Sequence, residues 1–474
     1  MQANEKLVNL LKRARKLTNP SPEERKEVEN TVSIVIRTLE KIIESYKLNV
    51  TVEIEGSIAK DTWLPGNKDI DIFLLFNRDR PIEELRYWGL RIGYEVVREL
   101  NCDCEERYAE HPYLRILYKG YDIDLVPSYY VESSEEIVTA VDRTRLHTRY
   151  VLSRVSEELK DDIRLLKKFM KVIGTYGAEL KVGGFSGYLC ELLVIHYGSF
   201  VNVLRAASEW RPWRVIIDLE GYYSERDYEK LRKAFKSPLI VIDPVDKTRN
   251  VAAAVTLQKF NEFIVASRMF LRNPSIDFFI EEEVTPLSYN ELEKELKARG
   301  TSIIALKFEL ERSAPDILWG QLNRTLRNIL NLLKQYKFEV INWGAWSNDR
   351  DLAILLFELS SIKLPNIELH HGPPVGSSRE IDFLEKYIDG EAVAGPFIIE
   401  NRWYVIRRRK YAHVVDLILE RAHLAGLAKK FLRAFKEGRV KIYVNEDVIK
   451  ASENEDYLKY LREWLFKRYH WLNL

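Results

Sequence analysis

Gly56-Ser57-Ile58-Ala59-Lys60-Asp61-Thr62-Trp63-Leu64-Pro65-Gly66-Asn67-Lys68-Asp69-Ile70-Asp71 is the stretch that decides how this chain is read. It follows a strand-like segment with Val50, Val52 and Ile54 on one face, and it enters an apolar run from Ile70 to Phe76 interrupted only by Asp71. Side chains alternate along a strand, so Asp69 and Asp71 project from one face while Ile70 and Ile72 pack beneath. Two carboxylates about 7 Å apart on one strand edge repel each other and stay hydrated unless cations neutralise them. A second pair, Asp122 and Asp124, shares a face of the segment Tyr121 to Pro127. Hard oxygen ligands on adjacent strands suit Mg²⁺, which keeps positions open for water and phosphate oxygens. Two such ions about 4 Å apart stabilise the attacking and the leaving oxygen of an in-line phosphoryl displacement. Glycine at 56 lets the backbone approach a triphosphate, Ser57 offers a hydroxyl and Lys60 adds a positive charge. An Asp-x-Asp pair alone is an ordinary solvated strand face, and Gly-Ser an ordinary turn; the ordered combination is what points to chemistry.

Around this stretch the periodicity predicts an α/β domain over residues 1–149. Leu7, Leu10, Leu11, Ala14 and Leu17 make one helix; Ser21 caps a second, with Pro22 at its first position and Glu23 and Glu24 against the positive end of its dipole. A helix over about 83–99 and strands over about 113–118 and 121–126 complete it. Residues 150–272 read as a helical neck with a lone buried strand at 238–242. Residues 273–474 read as an α+β body with an inserted tail module around 303–375, in which a strand, an amphipathic helix (Ile317 to Leu333) and a second strand form a βαβ-like unit. No internal repeat is visible.

The composition is consistent with several globular domains. The chain has 474 residues, 46% hydrophobic and 31% charged, and its 21 Gly and 16 Pro are scattered, which excludes disordered and collagen-like classes. Lys+Arg 73 against Asp+Glu 72 gives a net charge of +1, so basic surface for a nucleic acid must be offset by acidic surface elsewhere. Three cysteines make no disulfide framework, and Cys102-x-Cys104, with no His beside it, reads as part of a strand and not as a metal site. The N-terminus is charged from the start and no transmembrane segment is visible, so no membrane partner and a cytoplasmic protein are expected.

The constellation resembles the nucleotidyltransferase superfamily that includes DNA polymerase beta, and at greater length the archaeal (class I) CCA-adding enzymes. The resemblance is carried by Gly56 to Phe73, Gly120 to Pro127, Ala140 to His147, Tyr176 to Glu179, Gly184 to Leu192, Asp243 to Asp246 with Arg249 to Ala252, and Gly395 to Phe397, in order along nearly the whole chain. It implies a palm, neck and C-terminal modules, two Mg²⁺ ions, ATP and CTP as substrates, and addition of C, C and A to the 3′ end of tRNA without a template. It places Asp69, Asp71 and Asp124 on the family's metal-binding carboxylates, and Ser57 and Lys60 on its triphosphate turn. It puts His147, Lys167 and Tyr176 along the incoming nucleotide, and Arg249 on the arginine implicated in reading the base. Asp69 stands where many members have Glu, and Lys60 where Arg is frequent, a point charge in place of a bidentate fork. Taken without the resemblance, Lys167 reads as a snorkelling surface lysine and Arg249 as a cation near a helix start, where it opposes the dipole. For RNA, Arg324, Arg327 and Lys334 lie opposite the apolar stripe of their helix, and Arg407, Arg408, Arg409 and Lys410 form a basic run; both read as phosphate contacts or solvated faces. The family's C-terminal domains imply a grip on the acceptor stem and T arm by shape, and a homodimer is compatible with it. The alternatives are a poly(A) polymerase-like terminal nucleotidyltransferase and a tRNA-binding protein with a dead palm.

Overall fold

The computed structural model describes residues 2–108 and 110–473. They form two compact units, Met1–Glu283 with Arg468–Leu474, and Val284–Lys467. The first unit opens on two helices, Gln2–Thr18 and Pro22–Ser45; the second begins where Ser21 accepts a hydrogen bond from the Glu24 N–H, with Pro22 in the first turn. A five-stranded sheet follows: β1 (Val50–Glu55), β2 (Asp69–Phe76), β3 (Asp103–Tyr108), β4 (Pro112–Tyr118) and β5 (Tyr121–Tyr129), in the order β1-β2-β5-β4-β3. The β2–β5 pair is parallel and its neighbours are antiparallel. Ile70, Ile72, Leu74 and Phe76 of β2 pack on Val28, Val35 and Leu39 of the second helix and on Leu85, Ile92 and Val96 of helix Ile82–Leu100. The opposite face of β2 carries Asp69 and Asp71, then Phe73 and Leu75, which join Val126 in a smaller cluster. One strand therefore anchors the core at every second residue and presents acids at its start.

The neck packs helices Glu157–Val172, Gly187–Tyr197, Phe200–Glu209 and Leu257–Arg272 around an aromatic core in which Phe169 stacks on Phe278 and meets Phe200 and Phe270 edge-on. The strand expected at 238–242 is not alone. It is the centre of a three-stranded sheet, β6 (Val215–Asp218), β7 (Leu239–Asp243) and β8 (Asp246–Asn250). β6 has four residues and β8 reads Asp-Lys-Thr-Arg-Asn, so neither carries an apolar period. Arg249 consequently lies on a strand, and the next helix begins eight residues later at Leu257, capped by Thr256.

In the second unit, β9 (Ser302–Glu309), β10 (Val340–Ser347), β11 (Leu352–Leu359), β12 (Ile367–Pro374), β13 (Ala392–Ile399), β14 (Arg402–Arg408) and β15 (Val440–Val444) build two sheets, β10-β11-β9-β15 and β12-β14-β13. Helix Pro315–Gln335 connects β9 to β10, and β11 is inserted antiparallel between them, so the βαβ-like unit is of the split kind. The result is a multidomain α/β and α+β chain. No single helix among the described residues is long and apolar enough to cross a membrane.

Helix Ile82–Leu100 approaches the sheet through glycines: a Cβ on Gly89 would lie 2.5 Å from Pro127 Cγ, and one on Gly93 3.0 Å from Leu114 Cδ2. Gly89→Val is expected to push the helix off the sheet and cost about 2 kcal/mol. A lowered denaturant midpoint in Trp fluorescence would register it.

Candidate active site

Parallel register across β2 and β5 sets Asp69 beside Asp122 and Asp71 beside Asp124. From β4, the Arg115 guanidinium forks onto Asp124, with Nε 2.6 Å from Oδ1 and Nη2 2.7 Å from Oδ2. Its Nη1 lies 3.5 Å from Asp122 and 3.8 Å from Asp69. Burial, together with the charges of Asp124 and Asp69, pushes the Asp71 carboxyl up to about 6; Asp69 is raised as well, chiefly by burial. The edge is thus a cluster of like charges with one guanidinium among them. Among the described residues no three metal-ligating groups are gathered round one point. Hard carboxylate oxygens on adjacent strands nonetheless fit a hard divalent cation, and Arg115 shows that a cation is drawn there.

The turn after β1 lies directly against this edge. Gly56 has φ +68°, and a Cβ on it would fall 2.1 Å from Asp71 Oδ2, so no other residue fits without moving the carboxylate. Gly56–Ala59 then makes a single helical turn with Ser57 half-buried. Glu55, the last residue of β1, is 2% exposed; its Oε2 has no hydrogen-bond partner, and burial pushes its carboxyl up to about 7.

Lys60 and Lys167 both turn inward. Lys60 Nζ is 2.6 Å from Glu191 Oε2, and Lys167 Nζ is 2.8 Å from Glu191 Oε1 and 2.9 Å from Thr62 Oγ1. Thr62 donates to the same carboxylate at 2.6 Å. Burial alone would raise Glu191, but the two ammonium groups outweigh it and hold the carboxylate ionised. Lys167 is not a snorkelling lysine: it is among the most deeply buried side chains, at 2% exposure. Tyr176 completes the group, since a Cβ at Gly187 would lie 3.0 Å from its Oη and 3.6 Å from Lys167 Nζ.

His147 and Arg249 meet at a second buried carboxylate. His147 Nε2 and Arg249 Nη1 are each 2.8 Å from Asp243 Oδ2. Tyr188 donates to Asp243 Oδ1 at 3.3 Å and stacks on His147 with ring centroids 4.0 Å apart. Lys60 Nζ is 5.7 Å from the Tyr188 ring centroid, so the two groups adjoin.

Residue by residue, Asp69, Asp71 and Asp124 come together, as do Lys60, Lys167 and Tyr176, and as do His147 and Arg249. Sequence reasoning missed Arg115, and it gave no role to Glu191, Asp243 and Tyr188, which lie within the segments that carry the resemblance. Glu191 had left a signal, a single acid in the otherwise apolar helix Gly187–Tyr197. In the second unit, Arg324 and Arg327 are exposed on helix Pro315–Gln335. The basic run divides by strand alternation: Arg407 and Arg409 pair with Glu368 at 3.0 and 3.2 Å, whereas Arg408 is exposed. Cys102 and Cys104 are free thiols.

Three family models match the chain: nucleotidyltransferase domain over residues 36–147, tRNA nucleotidyltransferase second domain over 161–280, and CCA-adding enzyme C-terminal domain over 299–442. A CCA-adding enzyme of Pyrobaculum islandicum is 41% identical over 413 residues, covering 87% of this chain and 93% of that protein. One from Methanosarcina barkeri is 40% identical over 417 residues, with 88% and 89% covered. One from Methanopyrus kandleri is 37% identical over 481 residues, with 97% of both covered.

The Glu55 carboxyl titrates near 7 in the fold and near 4.3 when unfolded, so its share of stability is complete below about pH 4 and lost as pH rises through 7. Relative to the parent, Glu55→Gln is expected to be stabilised at pH 8 by on the order of 2 kcal/mol and unaltered near pH 4. Denaturant midpoints of both proteins across that range check it.

Proposed function

The chain belongs to the CCA-adding enzymes, and from that premise we propose that it adds C, C and A to the 3′ end of tRNA, drawing on CTP and ATP, with Asp69, Asp71 and Asp124 as its metal-holding carboxylates. In each cycle the terminal 3′-oxygen forms a bond to the α-phosphorus, the bond to pyrophosphate breaks, and the hydroxyl proton is released. The observation that carries this reading is the β2–β5 register, which aligns Asp71 with Asp124 beside the Gly56 turn. Mg²⁺ bound at these carboxylates supplies Lewis-acid stabilisation of the attacking and leaving oxygens. Ser57 and Lys60 take the triphosphate, and Lys167 and Tyr176 line the incoming nucleotide; the two lysines share one counter-ion in Glu191, which leaves a net positive charge beside the phosphate oxygens. His147 and Arg249 address the base.

In this reading residues 1–149 are the head that does the chemistry and 150–272 the neck that carries base selection. Residues 273–474, with a tail module around 303–375, are the body that grips the acceptor stem and T arm. Arg324, Arg327 and Arg408 are among the exposed cations suited to phosphate contact. Arg407 and Arg409 are already paired with Glu368, which competes with a phosphate for them.

The test offers the protein, with Mg²⁺, a tRNA transcript lacking its last three nucleotides, and sequences the products. CC from CTP alone and CCA from CTP with ATP are expected; a run of A from ATP alone would indicate a poly(A) polymerase, and tRNA binding without extension a dead palm. Asp71→Asn is expected to abolish extension while tRNA binding persists. Gly56→Ala, which drives a methyl into the Asp71 carboxylate, is expected to lower the rate about 100-fold in a folded protein.

A further inference from the structure

Asp243 ends a strand whose other members, Leu239 to Ile242, are buried and apolar. An aliphatic side chain would continue that pattern, yet an acid with no solvent exposure stands there. Burying a carboxylate is unfavourable by several kcal/mol unless it is fully paired. Its pairing is unusually complete: Oδ2 accepts from His147 and Arg249, and Oδ1 from Tyr188 and the Val245 N–H at 3.1 Å. These partners come from helix Arg143–Arg154, helix Gly187–Tyr197, strand β8 and the turn before it. One carboxylate thereby fixes side chains from several separate segments.

In the proposed function, what it fixes addresses the base of the nucleotide. Arg249 keeps 38% of its side chain exposed and gives one Nη to Asp243, so the rest of the guanidinium fork is free in a set orientation. Cytosine N3 and adenine N1 are acceptors, whereas the corresponding nitrogens of uracil and guanine carry hydrogen. A donor held still on that edge accepts C and A and leaves an unpaired N–H against U and G; a donor free to swing does not discriminate. Tyr188 adjoins Lys60 on one side and Asp243 on the other, so this end is continuous with the lysine pair.

We propose that Asp243 is the positioning residue of nucleotide selection, clamping Arg249 and His147 into one rigid unit that admits CTP and ATP and rejects UTP and GTP. The inference rests on the CCA-addition reading and deepens it. The experiment measures kcat/KM for CTP against UTP on the tRNA lacking CCA, and for ATP against GTP on the tRNA ending in CC, in the full-length protein and in Asp243→Asn and Asp243→Glu. Both ratios are expected to fall about 10- to 100-fold in the variants, with the KM for pyrophosphate in the reverse reaction unchanged because Lys60, Lys167 and Glu191 are untouched. Asp243→Glu keeps the charge and moves the carboxylate by one methylene, so it reports on position even if Asp243→Asn does not fold. Parental discrimination in either folded variant overturns the inference, as does an equal loss for all four nucleotides. Failure of the parent protein to build CCA overturns the functional reading instead.

Discussion

Two lysines, Lys60 from the turn after β1 and Lys167 from the first long neck helix, reach a single carboxylate, and both are buried. The paired acid, Glu191, comes from the following helix, and Thr62 adds a hydroxyl to the same oxygen that Lys167 holds. Removing the acid would leave two ammonium groups in a site that excludes water, a defect on the order of 3–5 kcal/mol for a broken buried pair. The turn that carries Gly56 and Ser57 is therefore tied at its far end to the neck, and the position of that turn sets where Asp71 can lie. The acidic edge and the inward-turned lysines share this one anchor.

The same device occurs twice. Glu191 is shared by two lysines, and Asp243 by an imidazole and a guanidinium. In each case a buried acid has two basic partners. At Glu191 both are ammonium groups and positive charge is left over, whereas at Asp243 burial favours the neutral imidazole of His147 and the guanidinium alone balances the acid. Each acid sits among apolar neighbours, which keeps the local dielectric low and the hydrogen-bond geometry narrow. Lysines, which are point charges, hold the first acid, and a planar guanidinium, whose donors are directional, holds the second.

Much of this was legible in the sequence, and what was not has a physical reason. A strand has a period of two, so the shared face of Asp69 and Asp71 follows from their spacing; the first helix boundaries follow from Ser21 and Pro22. β6 and β8 were invisible because a four-residue strand and a polar edge strand carry no period, and Arg249 was accordingly assigned to a helix start. Lys167 looked like a surface residue because the acid that justifies its burial lies 24 positions away. Arg115 gave no signal at all: it matters only because β4 pairs with β5 and sets it opposite Asp124. Local patterns report which face a residue is on; they do not report what the neighbouring strand brings to it.

The alternation along β2 also makes folding a proofreading step for the acidic edge. Ile70, Ile72, Leu74 and Phe76 fill one face, and Asp69 and Asp71 occupy the other. A slip of one residue in pairing would exchange the two sets, driving both carboxylates into the core and stranding the isoleucines outside it. Such an error would be unfavourable by many times the margin by which a domain is stable, so a misaligned edge and a folded domain exclude each other. Any molecule that passes the test of compactness has already lined up its acids.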